Sequence, residues 1–246
     1  MLIGVESISK RFGGLQAVDN VSLAARFGEV TAVIGPNGAG KSTLLDCLTG
    51  ITPFDAGRIV IDGKAYARIA VSELVEFGIS RTFQHIRLFD SLDARQHLVL
   101  ARQNLAASRR GKALAQSGAA LPDPDSLLDR VGLAAKARQR PGELAYGERR
   151  RLEIARALAT APRLLFLDEP AAGSTLSEQN ELAELISGIA AEGIAVVLVE
   201  HHMDLVGRVS ALVVVLNFGR HVMTGSIDEV RRHPEVIRAY LGVSAA

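Results

Sequence analysis

The stretch Gly35-Pro36-Asn37-Gly38-Ala39-Gly40-Lys41-Ser42-Thr43 fits the pattern G-x-x-x-x-G-K-[ST]. Residues of these types in this order can cradle phosphates. The glycines let the backbone turn tightly and approach phosphate oxygens where a Cβ would clash. Consecutive N–H groups then form an anion nest, and the N-terminus of a following helix adds the positive end of its dipole. Lys41 supplies a point charge to the terminal phosphates, and Ser42 offers its hydroxyl to Mg²⁺. The context agrees: an apolar β-branched run at 30–34 precedes the loop, and an apolar-periodic segment at 41–48 follows it.

A second constellation ends another apolar run. Leu164-Leu165-Phe166-Leu167 leads into Asp168 and Glu169. In P-loop NTPases an Asp at the end of such a strand holds the magnesium shell. A second carboxylate beside it can orient and deprotonate an attacking water. Adjacent strand residues point to opposite faces, but the strand stops here, so both carboxylates can reach one rim.

These residues need a frame. Short apolar runs at 30–34, 58–61, 164–167, 194–199 and 212–216 predict strands. Several are almost continuously apolar, which suits parallel strands covered on both faces. Helix periodicity falls between them at 41–48, 94–105, 147–160, 177–191 and 203–208. The alternation predicts an α/β fold with a mostly parallel sheet. The region 85–143 carries almost no strand signal. Within it 94–105 and 124–131 read as helices, and the Ala/Gly/Ser-rich 106–121 reads as a flexible connection with a basic clump at Arg109, Arg110 and Lys112. No internal repeat is visible.

The bulk numbers set limits. Lys plus Arg total 28 against 27 Asp plus Glu, so no net field points to nucleic acid or anionic lipid. The triplet Arg149–Arg151 is flanked by Glu148 and Glu153 and reads as a charged helix face. One cysteine, Cys47, rules out a disulfide within the chain and reads as packing. Residues 1–14 lack a long apolar stretch after a basic start, so no secretory leader is expected. The apolar runs fall well short of the ~20 residues a spanning helix needs, so membrane association is expected to pass through a partner.

Leu144-Ala145-Tyr146-Gly147-Glu148, followed by Arg149-Arg150-Arg151-Leu152-Glu153-Ile154-Ala155-Arg156-Ala157-Leu158, resembles the signature motif of ABC ATPases. Gln84, in Arg81-Thr82-Phe83-Gln84, resembles the family's Q-loop glutamine, and His201 its switch histidine. With the phosphate loop and Asp168-Glu169, five motifs stand in the family's order, and the resemblance covers essentially the whole chain. It implies a P-loop NTPase of ABC ATPase type: a mostly parallel core, an antiparallel β subdomain and an inserted α-helical subdomain. The expected division is a single domain, with 1–84 and 161–246 as the nucleotide-binding core and 85–160 as the helical subdomain.

The resemblance also implies roles. ATP lies between the phosphate loop of one subunit and Ala145, Tyr146, Gly147 and Glu148 of a second ABC ATPase subunit, whether identical or related. Gly147 opens a helix whose free N–H groups face the γ-phosphate. Ala145 stands where a Ser is usual, so backbone donors serve alone. Glu169 is the expected general base, His201 the residue that holds it and the γ-phosphate, and Gln84 a contact to Mg²⁺ or to the water. Phe12 stacks on adenine or else packs as a core aromatic. His202 occupies a position usually acidic. A metal site at His201-His202 is disfavoured, since adjacent helical residues do not face one way. The loop Ser174-Thr175-Leu176 departs from the usual Leu, Asp or Asn, Pro, and leaves coupling between ATP sites open.

Segments 81–89, 144–160, 168–173, 214–220 and 233–242 are similar to the ATPase subunits of branched-chain amino acid importers. Importers of urea or short amides and lipopolysaccharide-export ATPases are related. Soluble ABC ATPases of translation or DNA repair usually carry two cassettes or a long coiled coil, and this chain has neither. The kinship implies a peripheral protein on the cytoplasmic face of the membrane. Its partners would be transmembrane permease subunits, contacted beside Phe83, Leu88 and Phe89, with a solute-binding protein coupled indirectly.

Overall fold

The computed structural model describes residues 3–241; Met1, Leu2 and Gly242, which belong to segments considered above, lie outside them. The strands in chain order are β1 (Ile3–Phe12), β2 (Leu15–Ala25), β3 (Val30–Ile34), β4 (Ala56–Ile61), β5 (Lys64–Tyr66), β6 (Ile79–Arg81), β7 (Leu164–Asp168), β8 (Ala195–Val199), β9 (Leu212–Asn217) and β10 (Arg220–Gly225). The α-helices are α1 (Lys41–Leu48), α2 (Leu74–Phe77), α3 (Ala94–Ala107), α4 (Arg109–Gln116), α5 (Pro124–Arg130), α6 (Tyr146–Leu158), α7 (Leu176–Ala191), α8 (Met203–Val209), α9 (Ile227–Arg232) and α10 (Pro234–Leu241).

The sheet runs β5-β4-β1-β2-β10-β9-β3-β8-β7-β6. From β9 to β6 every pairing is parallel. At the other end β1, β2, β4 and β5 pair antiparallel. The apolar runs of β3, β7 and β8 are buried at every position. Period-2 alternation sorts them between two cores. Leu165, Leu167, Val196 and Leu198 face a core shared with α3, α5, α6 and α7. Leu164, Phe166, Val197 and Val199 face a core shared with α1 and the antiparallel strands. Because both faces are covered, the C-terminal strand ends are held rigidly, and the phosphate loop, Glu169 and His201 all follow such ends.

The structure departs from the sequence expectation in several places. The two longest strands, β1 and β2, gave no clear signal. Their buried residues are interrupted by polar ones, Lys10 itself being buried, and the register slips at irregularities near Ser7 and Asn20, both with positive φ. The expected flexible connection at 106–121 contains the helix α4. Ser108 caps it, accepting from Gly111 N at 2.9 Å. Glu76 of α2 accepts the N–H groups of Arg109 and Arg110, an anion at the positive end of the dipole. The basic clump is therefore partly structural: the Arg110 guanidinium donates to the carbonyls of Thr160 and Ala161. These caps come from distant segments and cannot be read locally. The helix expected from Gly147 starts one residue earlier, with Ala145 as N-cap.

Candidate functional site

The loop from Gly35 to Gly40 joins β3 to α1 and is shaped by close backbone approaches. A Cβ at Gly35 would lie 2.2 Å from the Leu216 carbonyl oxygen, and one at Gly40 2.3 Å from that of Ala17. Gly40 also adopts φ +94°, a region L side chains avoid. No side chain caps α1, so the first N–H groups of the helix, which have no intrahelical partner, line a cleft of about 840 Å³ with the rest of the loop. Lys41 is buried, and its Nζ donates to the carbonyls of Gly35 (2.8 Å) and Pro36 (3.1 Å). Burial lowers its pKa, opposed by the nearby carboxylates of Glu169, Asp168 and Glu200.

The same cleft is lined by Phe12, Gln84, Glu169 and His201, together with every residue from Gly35 to Thr43. Five separate chain segments thus converge on it. Glu169 sits just past β7 at φ +46°, a conformation costing of order 1 kcal/mol or more for a non-glycine residue. Its N–H donates to Val199 O at 2.9 Å, which pins the turn to β8. Its Oε2 accepts from Gln84 Nε2 at 3.1 Å. Among the described residues Gln84, not His201, is the side chain bonded to Glu169. Phe12 is 49% exposed on the cleft wall, with Lys10 Nζ 5.2 Å from its ring centroid, so it is not a core aromatic.

Asp168 is buried. Its Oδ2 accepts from Arg81 at 2.8 Å, while Oδ1 is buried with no hydrogen-bond partner among the described residues. Arg81 also donates to Asp46 of α1 and to Thr49, the C-cap of that helix, so one guanidinium ties α1 to the end of β7. In the sequence Arg81 stands inside a quoted motif without a role, because the three-residue strand β6 that places it left no run to recognise.

Gln84 hangs on a buried polar network. Arg150 of α6 donates to the carbonyls of Phe83 (2.6 Å) and Gln84 (2.8 Å), to Glu153 (3.0 Å) and to the Tyr146 hydroxyl (3.2 Å). Glu153, 0% exposed, accepts the N–H groups of Phe83 and Arg87. Burial pushes the Glu153 carboxyl up, against the pull of Arg150 and Arg156. The expected charged face at Arg149–Arg151 is thus corrected: Arg150 is buried, while Arg149 and Arg151 are half-buried, Arg151 bonding Glu181 at 2.7 Å. The guanidinium groups of Arg81 (5.1 Å) and Arg87 (4.2 Å) both lie over the Phe83 ring, and Phe89, stacked against His97, stays 55% exposed.

Ala145, Tyr146, Gly147 and Glu148 do not line the cleft of their own chain. Ala145 offers no capping oxygen, but its N–H donates to Glu148 Oε2 at 3.0 Å, half of a capping box. Lys136 and that hydrogen bond hold the Glu148 carboxyl low. The Thr175 hydroxyl is spent on its own helix: with Glu178 it forms the capping box of α7. Cys47 is buried, and desolvation raises its thiol to about 11.

His201 and His202 precede α8 rather than lying in it, so the helical argument against a shared ligand fails in its premise. Their rings are 4.2 Å apart, and Glu200 lies within ligand distance of both. The Glu200 carboxylate is already engaged, accepting the N–H groups of Ala171, His201 and His202, and lying 2.9 Å from His202 Nδ1. A cation there would have to displace those donors. Further wall residues were not foreseen: Leu15, Gln16 and Ala17 of β2, Phe218, 83% exposed in the β9–β10 turn, and Tyr240 of α10. Tyr240 falls in a C-terminal segment the resemblance had singled out, though it was assigned nothing.

Residues 18–172 match the ABC transporter family, and residues 222–246 match the branched-chain amino acid ATP-binding cassette transporter family. The chain is 39% identical to the high-affinity branched-chain amino acid transport ATP-binding protein LivG of Salmonella typhimurium, over 98% of both chains. It is 39% identical, over the same shares, to the protein of like description, BraF, of Pseudomonas aeruginosa. Among solved structures, the ADP conformation of MJ1267, an ATP-binding cassette of an ABC transporter, superimposes with a TM-score of 0.84 at 29% identity, covering 98% of each chain.

Proposed function

This chain belongs to the ABC transporter family of ATP-binding proteins, and from that premise we propose that it binds and hydrolyses ATP to energise import of branched-chain amino acids. The observation that carries the reading is the meeting of Lys41, Gln84, Glu169 and His201 in one cleft with the loop 35–43. The N–H groups of that loop and the Lys41 ammonium hold the phosphates. Phe12 supports the adenine. Glu169 takes a proton from the attacking water, Gln84 orients that carboxylate, and His201 meets the γ-phosphate.

A magnesium ion fits the residues present. Among the described residues Asp168 Oδ1 is buried and unpaired, and Ser42 lines the cleft. Ser42, Asp168 and Gln84 would hold the ion, which when bound neutralises phosphate charge. Arg81 keeps the Asp168 carboxylate aimed.

Ala145–Glu148 serve a second ABC ATPase subunit. Their position outside their own chain's cleft supports this, as does the helix N-terminus they form. Residues 85–160 act as the helical subdomain, and the apolar surface at Phe83, Leu88 and Phe89 passes its motion to transmembrane permease subunits. No helix among the described residues is long and apolar enough to cross a membrane. Attachment is through those permease partners, on the cytoplasmic face. A solute-binding protein delivers cargo and never touches this chain.

The test is ATP hydrolysis by the chain assembled with its permease. Wild type turns over. Glu169→Gln binds ATP, accumulates an ATP-stabilised dimer and hydrolyses little. Absence of wild-type turnover in the assembled complex overturns the reading and leaves a regulatory nucleotide-binding subunit.

A further inference from the structure

Glu200 follows β8 and is completely buried, yet it belongs to none of the five motifs. Burying a carboxylate costs several kcal/mol unless its lone pairs are satisfied. Here they are, and the donors come from two different segments. Oε1 accepts the N–H of Ala171 at 2.9 Å. Oε2 accepts the N–H of His201 at 2.9 Å and of His202 at 3.2 Å, and lies 2.9 Å from His202 Nδ1.

The first segment carries Glu169. Pro170 has no N–H, so that of Ala171 is the first backbone donor after the strained Glu169. The Glu169 N–H is already bound to Val199 O. The turn is thereby fixed on both sides of Glu169, once by β8 and once by the carboxylate that follows β8. The second segment carries His201, whose own side chain is left half exposed in the cleft. His202 completes the clasp, its ring 4.2 Å from that of His201 and tilted 36° to it.

We propose that Glu200 is a positioning residue for hydrolysis: its carboxylate locks the turn bearing Glu169 and the segment bearing His201 into one geometry. An apolar residue of similar size would fill the space, but it could not satisfy two N–H sets at once. The inference rests on the reading that Glu169 and His201 act on the terminal phosphate.

The experiment compares wild type with Glu200→Gln in the assembled transporter, measuring steady-state kinetics, MgATP affinity and melting temperature. The amide keeps the shape but replaces one acceptor oxygen with a donor that opposes the N–H groups. The expected result is a fall in kcat of roughly ten- to a hundred-fold with KM and MgATP affinity nearly unchanged. Turnover equal to wild type overturns the inference, as does loss of affinity and melting temperature in step with kcat, which marks a purely structural role. A measurement on unmodified protein guards against a variant that does not fold. The amides of Ala171, His201 and His202 should exchange hydrogen through one common opening, and independent exchange of Ala171 sinks the proposal. A wild type without turnover breaks the functional reading itself; full turnover in Glu200→Gln breaks only this inference.

Discussion

The two walls of the cleft are built on different principles. The phosphate loop is backbone: consecutive residues between a buried strand and a helix, with glycines where Leu216 and Ala17 leave no room for a Cβ. The segment around Gln84 has no regular structure and is held by side chains, with Arg150 reaching Phe83 from 67 residues away. The first wall is rigid because its hydrogen-bonding groups are contiguous. The second can be moved through α6, because what holds Gln84 is an arginine on that helix. One wall suits holding phosphate, and the other suits reporting what is held.

The sharpest attack on this contrast is Lys41→Ala. Removing one buried charge from a backbone-built wall should lower MgATP binding and turnover by about a hundred-fold or more without loss of folding stability. Titration with MgATP beside urea unfolding reads both. Next is Arg150→Met, which leaves Glu153 buried without its closest cation. A loss of about 3 kcal/mol in urea unfolding is expected, with MgATP affinity much less affected. Stability equal to wild type would mean that the network does not hold the Gln84 wall.

A smaller effect follows from the Glu153 carboxyl, raised by burial above its ordinary value of 4.5. Just above that value the folded state binds more protons than the unfolded one, so this group's contribution to stability falls as pH rises. Glu153→Gln removes that slope, so the variant should gain on wild type in urea unfolding as pH is raised through the window. The mildest probe is chemical. Cys47 on α1, buried and with its thiol pushed up to about 11, should react with a maleimide at neutral pH only on opening of the phosphate-loop wall. Fast labelling of folded protein would show that wall to be looser than its partner.

The legible parts of the fold share one property. β3, β7 and β8 are buried on both faces and so are apolar throughout, which a reader of the chain can see. β1 and β2 lie in the antiparallel part of the sheet, carry irregular register and are interrupted by polar residues, and no such run marks them. The capping of α4 by Glu76 joins positions 33 and 34 residues apart, so the segment looked like a flexible connection. Of the residues lining the cleft, loop 35–43 and Glu169 stood out in the sequence by type and spacing, and Gln84 and His201 by resemblance. Arg81, Arg150 and Glu200 did not, because a single charged residue carries no spacing to recognise.

The amino-acid sequence alone determined the phosphate cradle, the acidic strand end and the α/β alternation, since each depends on neighbours a few residues apart whose backbone geometry is set locally. Only the tertiary structure decided which carboxylate oxygens are spent, which arginine turns inward and which amide holds Glu169. Those outcomes depend on desolvation and pairing between groups that meet only once the sheet has brought distant segments together.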